Sequence, residues 1–402
     1  AYEIYQCDWS SDVCSSDLAT HRGKTYPIQG SCDPKFQKVL DQFIANFAEG
    51  SEDGACVSVW QNGKPVVDLW GGYADRAYAK PWAKDTIVNM MSVSKVASAV
   101  CIHMLIDRGI LDMEAPVSKY WPEFGQAGKE KMPLKYVLDH RSGLALVLEP
   151  KAGGITDWAW MTNALAKQAP VWPYGEVAAY HGLTQGFMLG EVIRRTTGKT
   201  LGTMFREEVA KPLGLDYQIG LRPDEEARCA TFIPDALIKG FRFKGPVDPK
   251  NLGPVVWAQL ADDEDFNTTG WRRAEIPSAN GHGTARAIGR LYAMLANGGE
   301  LDGVRILSAE GVKRMTTEQH NKTEVLRGRA YHQASGVLLN TPPYVDMGPN
   351  PRAFGHHGSG GAIGLADPDA KIAFGYGMNR MHADPTNGPR AGGLIKATFA
   401  SV

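Results

Sequence analysis

Apolar residues first recur at helical spacing at Phe36, Val39, Leu40, Phe43, Ile44 and Phe47. They follow Asp33-Pro34, an N-cap with proline at the first helical position, and the run stops at Gly50. This spacing predicts an amphipathic helix. Two β-rich runs come next, Ala55 to Trp60 and Pro65 to Trp70, and Asn62-Gly63 between them predicts a hairpin. Ser92 to Arg108 is apolar on most faces and ends at Gly109, the pattern of a buried central helix. The segments Leu134 to Asp139, Asp157 to Lys167, Leu183 to Thr196 and Leu201 to Lys211 read as helices, until Pro212 and Gly214 break the pattern. Residues 240–280 are rich in Gly, Pro, Asp and Trp without a sustained period, as in a functional rim. A helix from Thr284 to Asn297 and a short one near Ala309 to Thr317 follow. Gly336 to Leu339, Ala362 to Leu365 and Ile372 to Gly377 then read as strands, the last two joined by Asp367-Pro368-Asp369.

The β signal therefore sits at both ends of the chain. The expected class is α/β (α+β), an antiparallel sheet flanked by helices. Residues 19–109 and 281–402 would build this α/β domain, and a mainly helical domain, 110–280, would be inserted between them and supply the active-site rim.

Composition narrows the partners. The chain has 402 residues, 43% hydrophobic and 22% charged, with a formal net charge of -1, and no Lys/Arg block interleaves with aromatics. That excludes nucleic acid and an anionic membrane surface as expected partners, and no apolar run is long enough for a membrane span. A small molecule is the expected partner; the oligomeric state is left open. Cysteines at 7, 14, 32, 56, 101 and 229 lack CxxC or zinc spacing and read as free thiols in a reducing compartment. Cytoplasmic location is the expectation. Residues 1–18 are set aside: Cys7 to Leu18 reads as one frame of a sequencing adapter, or else as a polar disordered tail. The native N-terminus is thereby open, and with it a periplasmic or secreted location.

Three elements carry the chemistry. In Ser92-Val93-Ser94-Lys95 a serine and a lysine three apart share a helix face, so that the amine can take the hydroxyl proton. A Ser-x-x-Lys match is expected about once by chance in a chain of this length, so its context decides. An ordinary lysine is protonated at pH 7 and needs a second group. Tyr180, at a loop-helix junction after Pro173-Tyr174-Gly175, can act as phenolate or proton relay. The glycine-dense Phe354-Gly355-His356-His357-Gly358-Ser359-Gly360-Gly361 precedes an expected strand and offers N–H groups for an oxyanion.

In this order, and with the flanking Leu105-Ile106-Asp107-Arg108-Gly109, His140-Arg141-Ser142-Gly143-Leu144 and Asn280-Gly281-His282-Gly283, the elements resemble the serine β-lactamase-like hydrolases, and within them the family VIII carboxylesterases. The resemblance spans about residues 33–402. It implies a β-lactamase/transpeptidase-like fold, with Ser92 as acylated nucleophile and Lys95 and Tyr180 as its proton-transfer partners. The implied oxyanion donors are the N–H groups of Ser92 and Ser359, with Gly358 the alternative if the register shifts by one. His356, His357 and Gly358 fall where class C β-lactamases have Lys-Thr-Gly, and Gly182 where their Tyr-x-Asn motif has asparagine, which makes these four the implied substrate-binding positions. Both departures weaken penicillin recognition and favour neutral esters over anionic lactams; small, short-chain esters are the expected substrates. The implied activity is that of a serine carboxylesterase. A β-lactamase or DD-peptidase and an inactive penicillin-binding-like protein are the alternatives. No metal or organic cofactor is implied.

Other residues have plainer readings. His140 is expected to be a structural histidine at a helix end. Trp158, Trp160, Trp172, Trp257 and Trp271 are candidates for an acyl or alcohol pocket, with core packing the commoner role for any one of them. Asp262-Asp263-Glu264-Asp265 lacks calcium-loop spacing and reads as a solvated acidic turn.

Overall fold

The sheet starts earlier than the apolar pattern announces. The computed structural model describes residues 17–151, 153–234, 252, 265–382 and 386–402. Its first elements are two antiparallel strands, β1 (Asp17–His21) and β2 (Lys24–Cys32), neither anticipated from sequence. β1 begins inside the segment set aside: Asp17 lies opposite Ile28 and Leu18 opposite Pro27. As the edge strand of the sheet it has one neighbour, and such a strand needs no alternation of apolar residues to mark it. α1 (Gln37–Ala48) follows and buries Val39, Leu40, Phe43 and Phe47. β3 (Gly54–Gln61) and β4 (Lys64–Gly72) form the expected hairpin, with Asn62 and Gly63 at φ 53° and 75°, as the twist of the strands requires of a two-residue turn.

β5 (Val88–Asn89) leads into a 3₁₀ turn, Ser92–Ser94, and then α2 (Lys95–Asp107). Every residue of α2 from Lys95 to Leu105 is buried, as an all-round apolar helix must be. The middle of the chain is mainly helical, with α3 (Trp158–Lys167) and α4 (Thr184–Thr197), and it contributes β6 (Tyr217–Ile219). β7 (Gly281–Gly283) returns the chain to the nucleophile turn, and β5, β7 and β6, in that order, make a small three-stranded sheet.

α5 (Ala285–Ala296), the β8 (Glu300–Leu301) and β9 (Val304–Arg305) hairpin and α6 (Ala309–Thr316) come next. Then come β10 (Glu318–Thr323), β11 (Ala330–Ala334), β12 (Leu338–Leu339), β13 (Phe354–His357), β14 (Ile363–Asp367), β15 (Ile372–Met378) and finally α7 (Gly388–Phe399). β10 and β11 were not expected; the charged and polar run Glu318–Thr323 has no apolar period. The first half of the glycine-dense run is itself strand β13 rather than the lead-in to one.

The main sheet has ten strands in the order β1-β2-β4-β3-β15-β14-β13-β12-β11-β10, and its pairs are antiparallel. The expected sheet built from both chain ends is thus observed, and its seam is β3 against β15, with Ala55 opposite Met378. α5 packs over β3, β14 and β15, and α1 packs with α7. No helix among the described residues is long and apolar enough to cross a membrane. Cys32, Cys56, Cys101 and Cys229 are free and buried. Trp257 and Asp262–Glu264 lie outside the described residues.

Candidate active site

The site is built around one strained residue. Met91, just before Ser92, has φ 49° and ψ -131°, a backbone conformation that costs a non-glycine residue roughly 1–3 kcal/mol. Four contacts hold it there. The Met91 N–H donates to Asn89 Oδ1 at 3.1 Å, and the Met90 N–H to the Gly281 carbonyl at 2.9 Å. Ser94 Oγ donates to the Met91 carbonyl and accepts from the Gly281 N–H at 2.7 Å. The Ser94 hydroxyl also receives the Tyr217 phenol at 3.4 Å. Ser92 is thereby fixed as the first residue of a helical turn, where its N–H has no acceptor within the turn.

Lys95, one turn on, is 1% exposed. Its Nζ donates to the Gly182 carbonyl at 2.8 Å and to the Ser278 carbonyl at 3.1 Å. Burial, with a smaller push from the Arg327 guanidinium, holds its pKa well below the ordinary lysine value. Lys95 Nζ also lies 5.0 Å from the centre of the Tyr180 ring.

The loop carrying Tyr180 is set by histidines. His140, in the left-handed region at φ 64° after the short helix Lys135–Leu138, accepts the Ala179 N–H on its carbonyl (3.0 Å) and the His181 N–H on Nδ1 (3.1 Å). His181 Nδ1 donates to the Ala179 carbonyl at 2.5 Å, which makes its Nε2 the acceptor of the Ser142 hydroxyl at 2.6 Å. His140 is therefore the structural residue expected of it. The Tyr180 phenol lies beside Ser92. Its ring stacks on Tyr331 (centroids 5.7 Å apart, planes at 6°), and Arg327 lies 5.1 Å from its centre. Burial and the neighbouring Tyr331 raise the Tyr180 pKa, against smaller opposing effects of Ser92 and Arg327. Glu324, at the tip between β10 and β11, braces this loop: its carboxylate accepts the N–H groups of Tyr180 (3.3 Å), Leu326 (3.0 Å) and Arg327 (2.7 Å).

β13 and its following loop form the facing wall. His356 is buried, with its ring 6.1 Å from that of Tyr180. Its Nδ1 donates to the His357 carbonyl at 2.7 Å, and its Nε2 has no partner among the described residues. Burial and then Lys95 hold the His356 pKa well below the ordinary histidine value. Burial and then Arg327 and Arg329 lower His357 to about 3. Both imidazoles are neutral at pH 7. A Cβ at Gly358 would collide with the Met90 carbonyl oxygen, so only glycine lets this wall close on the nucleophile turn. The Gly358 N–H donates to the Ala362 carbonyl at 2.6 Å, and Gly361 returns its N–H to the Gly358 carbonyl at 3.1 Å. The Ser359 N–H makes no backbone hydrogen bond among the described residues.

Ser92, Lys95, Tyr180, His356, His357, Gly358 and Ser359 are thus brought together. Gly182 joins them through its carbonyl, which accepts from Lys95. The sequence reading missed Ser278, Glu324, Arg327 and Tyr331. Ser278 acts through a backbone carbonyl, which no side-chain pattern reveals, and the other three lie on strands and a turn without apolar period. Of the tryptophans, Trp271 is core and Trp158 donates to Glu191 at 2.9 Å. Trp160 is partly buried against the main core. Trp172 sits apart, in a small apolar cluster with Leu146, Val171, Leu252 and Leu326 beside Arg327.

The family described as Beta-lactamase matches residues 40–397. The Esterase/beta-lactamase LipL of Mycobacterium tuberculosis is 35% identical over 370 residues, 88% of this chain and 83% of that protein. A crystal structure of a family VIII carboxylesterase superposes with a TM-score of 0.86 at 38% identity, covering 93% of this chain and 100% of the other. A penicillin-binding protein homologue from Caulobacter crescentus gives a TM-score of 0.85 at 36% identity over 93% and 100% of the two chains.

Proposed function

Because the chain belongs to the beta-lactamase family and is a hydrolase of its esterase/β-lactamase type, we propose that it is a serine carboxylesterase acting on small, short-chain esters through an acyl-enzyme on Ser92. The observation that carries the reading is the state of Lys95. Burial favours the neutral amine, whose two N–H bonds go to Gly182 and Ser278. The lone pair is then what remains to accept a proton. Burial likewise keeps Tyr180 a neutral phenol, a relay between Ser92 and Lys95 rather than a standing phenolate.

In the first step Ser92 Oγ attacks the ester carbonyl while its proton passes, through Tyr180, to Lys95. The N–H groups of Ser92 and Ser359 hold the oxyanion, Ser359 being preferred to Gly358 because the Gly358 N–H is already engaged. Collapse breaks the bond to the alcohol, which takes the proton back from Lys95 through Tyr180. Water, giving its proton to the same pair, then attacks the acyl-enzyme, and the proton returns to Ser92 Oγ. Acid–base and oxyanion contributions of roughly 10²–10⁴ and 10²–10³ in rate are the scale expected of such groups.

The substrate reading rests on His356. A neutral imidazole there cannot supply the charge-assisted hydrogen bond that a lysine gives a carboxylate, worth about 1.5–3 kcal/mol, and position 182 has no side chain to meet an amide. The cluster around Trp172 is the acyl pocket in this reading. β-Lactamase or DD-peptidase activity is the second reading, favoured by the likeness to LipL and to the Caulobacter penicillin-binding protein homologue; an inactive penicillin-binding-like protein is the third. The test is a panel of nitrophenyl esters of increasing acyl length beside a chromogenic cephalosporin and a D-alanyl amide, with fluorophosphonate labelling followed by intact mass. Fast short-ester turnover, slow cephalosporin turnover and one adduct on Ser92 are expected. Faster cephalosporin or D-alanyl amide cleavage would overturn the esterase reading, and no adduct would favour the inactive protein.

A further inference from the structure

The loop that carries Ser359 is held from outside the cleft by a buried ion pair. Arg390, on α7, is 2% exposed, and Glu52, between α1 and β3, is 0% exposed. Arg390 Nη1 donates to Glu52 Oε2 at 2.8 Å and to the Ser51 carbonyl at 3.0 Å. Its Nη2 donates to the Gly360 carbonyl at 3.0 Å and to the Arg380 carbonyl, just beyond β15, at 2.9 Å. Tyr376 of β15 donates its phenol to the other Glu52 oxygen. One guanidinium thus ties together four separate stretches of chain.

A buried ion pair is a poor device for stability alone. Desolvating two charges costs several kcal/mol each, and well-packed apolar residues often serve as well or better. What the pair does that apolar residues cannot is give hydrogen bonds of fixed direction. One of those directions is the Gly360 carbonyl. Gly360 and Gly361 have φ 93° and 120°, so the turn lacks the restriction that side chains impose on a backbone. Its other ties are the Gly358–Gly361 and Gly358–Ala362 bonds and the His382 N–H, which reaches the Gly360 carbonyl at 3.2 Å.

We propose that Arg390 is a positioning residue for the oxyanion site: by fixing the Gly360 carbonyl against β15 and Glu52, it holds the adjacent Ser359 N–H at the distance from Ser92 that the tetrahedral intermediate requires. This rests on the serine-esterase reading. Oxyanion contacts strengthen in the transition state, so displacement of Ser359 lowers kcat and leaves KM nearly unchanged.

Arg390→Ala would leave Glu52 buried and unpaired and destabilise the fold, so the test uses two other variants. Arg390→Lys keeps the charge but loses the fork. Glu52→Gln/Arg390→Met removes both charges and fills the space. Melting temperature, kcat and KM on nitrophenyl acetate and inhibition by a phenylboronic acid, which forms a tetrahedral adduct on serine, are measured on each folded variant. The expected result is a fall in kcat of about tenfold to a hundredfold, KM within about threefold and boronate affinity falling in step with kcat. A folded double variant with kcat within about threefold of the parent, or a loss confined to KM, overturns the proposal. Fluorophosphonate labelling of the parent keeps the two ideas apart. An unlabelled parent sinks the esterase reading, whereas a labelled parent with unchanged variants sinks only the role of Arg390.

Discussion

The two walls of the cleft are held by different means. The nucleophile wall is held redundantly: Met91 and Ser92 are tied by Asn89, Ser94 and Gly281, and Lys95 by two carbonyls. The wall facing it, from His356 to Gly361, is paired to β14 through His356 and His357, but its turn has only short local bonds, the His382 N–H and the Arg390–Glu52 pair to hold it. The first wall can store strain because several contacts oppose its relaxation. The second is free of side-chain restraint at Gly360 and Gly361, and its precision is imported.

Substitutions in the first wall should therefore abolish chemistry without moving the fold. Ser92→Ala is expected to lower nitrophenyl acetate turnover by about 10⁴-fold or more with an unchanged circular dichroism spectrum; more than a few per cent residual activity would remove Ser92 from the reaction. Tyr180→Phe should retain the ring stack on Tyr331 and lose about 10²–10⁴-fold in kcat, and near-normal rates would move the relay to another group. In the second wall His356→Lys is expected to raise cephalosporin turnover relative to ester turnover about tenfold, by restoring a cation toward the carboxylate. An unchanged ratio would show that position 356 does not meet the substrate. Ser94→Ala removes the hydroxyl that links Met91, Gly281 and Tyr217 and should lower stability by about 1–3 kcal/mol, read as a shift in the urea midpoint.

The smallest effect concerns pH. A base acts only when unprotonated, and burial lowers Lys95, so activity is expected to extend to lower pH than an ordinary lysine would allow and to be lost as pH falls through that lowered value. His357 titrates near 3 and His356 well below its ordinary range. His357→Asn should accordingly leave the profile of kcat/KM between pH 5 and 8 unchanged in shape. Loss of an inflection near 6.5 in that variant would assign the histidine a working proton.

The nucleophile wall was legible in the sequence because its parts are side chains at fixed spacing. Ser92 and Lys95 share a helix face, and Asn62-Gly63 marks a turn that admits little else. The helix limits at Gly109 and Asn297 were legible for the same reason. The remainder acts through groups that any residue carries or through partners far apart in the chain. The Ser278 and Gly182 carbonyls hold Lys95 irrespective of side chain, and Glu52 meets Arg390 only after the sheet has closed. β1, β2, β10 and β11 escaped because they form the two ends of the sheet. There polar residues face solvent, and two-residue alternation is not imposed by burial on both faces.

The seam of the sheet has a consequence for how the molecule comes into being. β3 is made long before β15 and cannot pair with it until all the chain between them has been made, because Ala55 meets Met378. Until then the edge of β3 lacks its partner, and the turn after β13 lacks the Arg390 contact, since α7 follows β15 in the chain. Contacts so distant in sequence close slowly, and open strand edges invite association meanwhile. Yield of this protein from cells should thus depend on translation rate and chaperone supply, and removal of the C-terminal helix should trap a chain that has its serine and lysine but has not assembled its cleft.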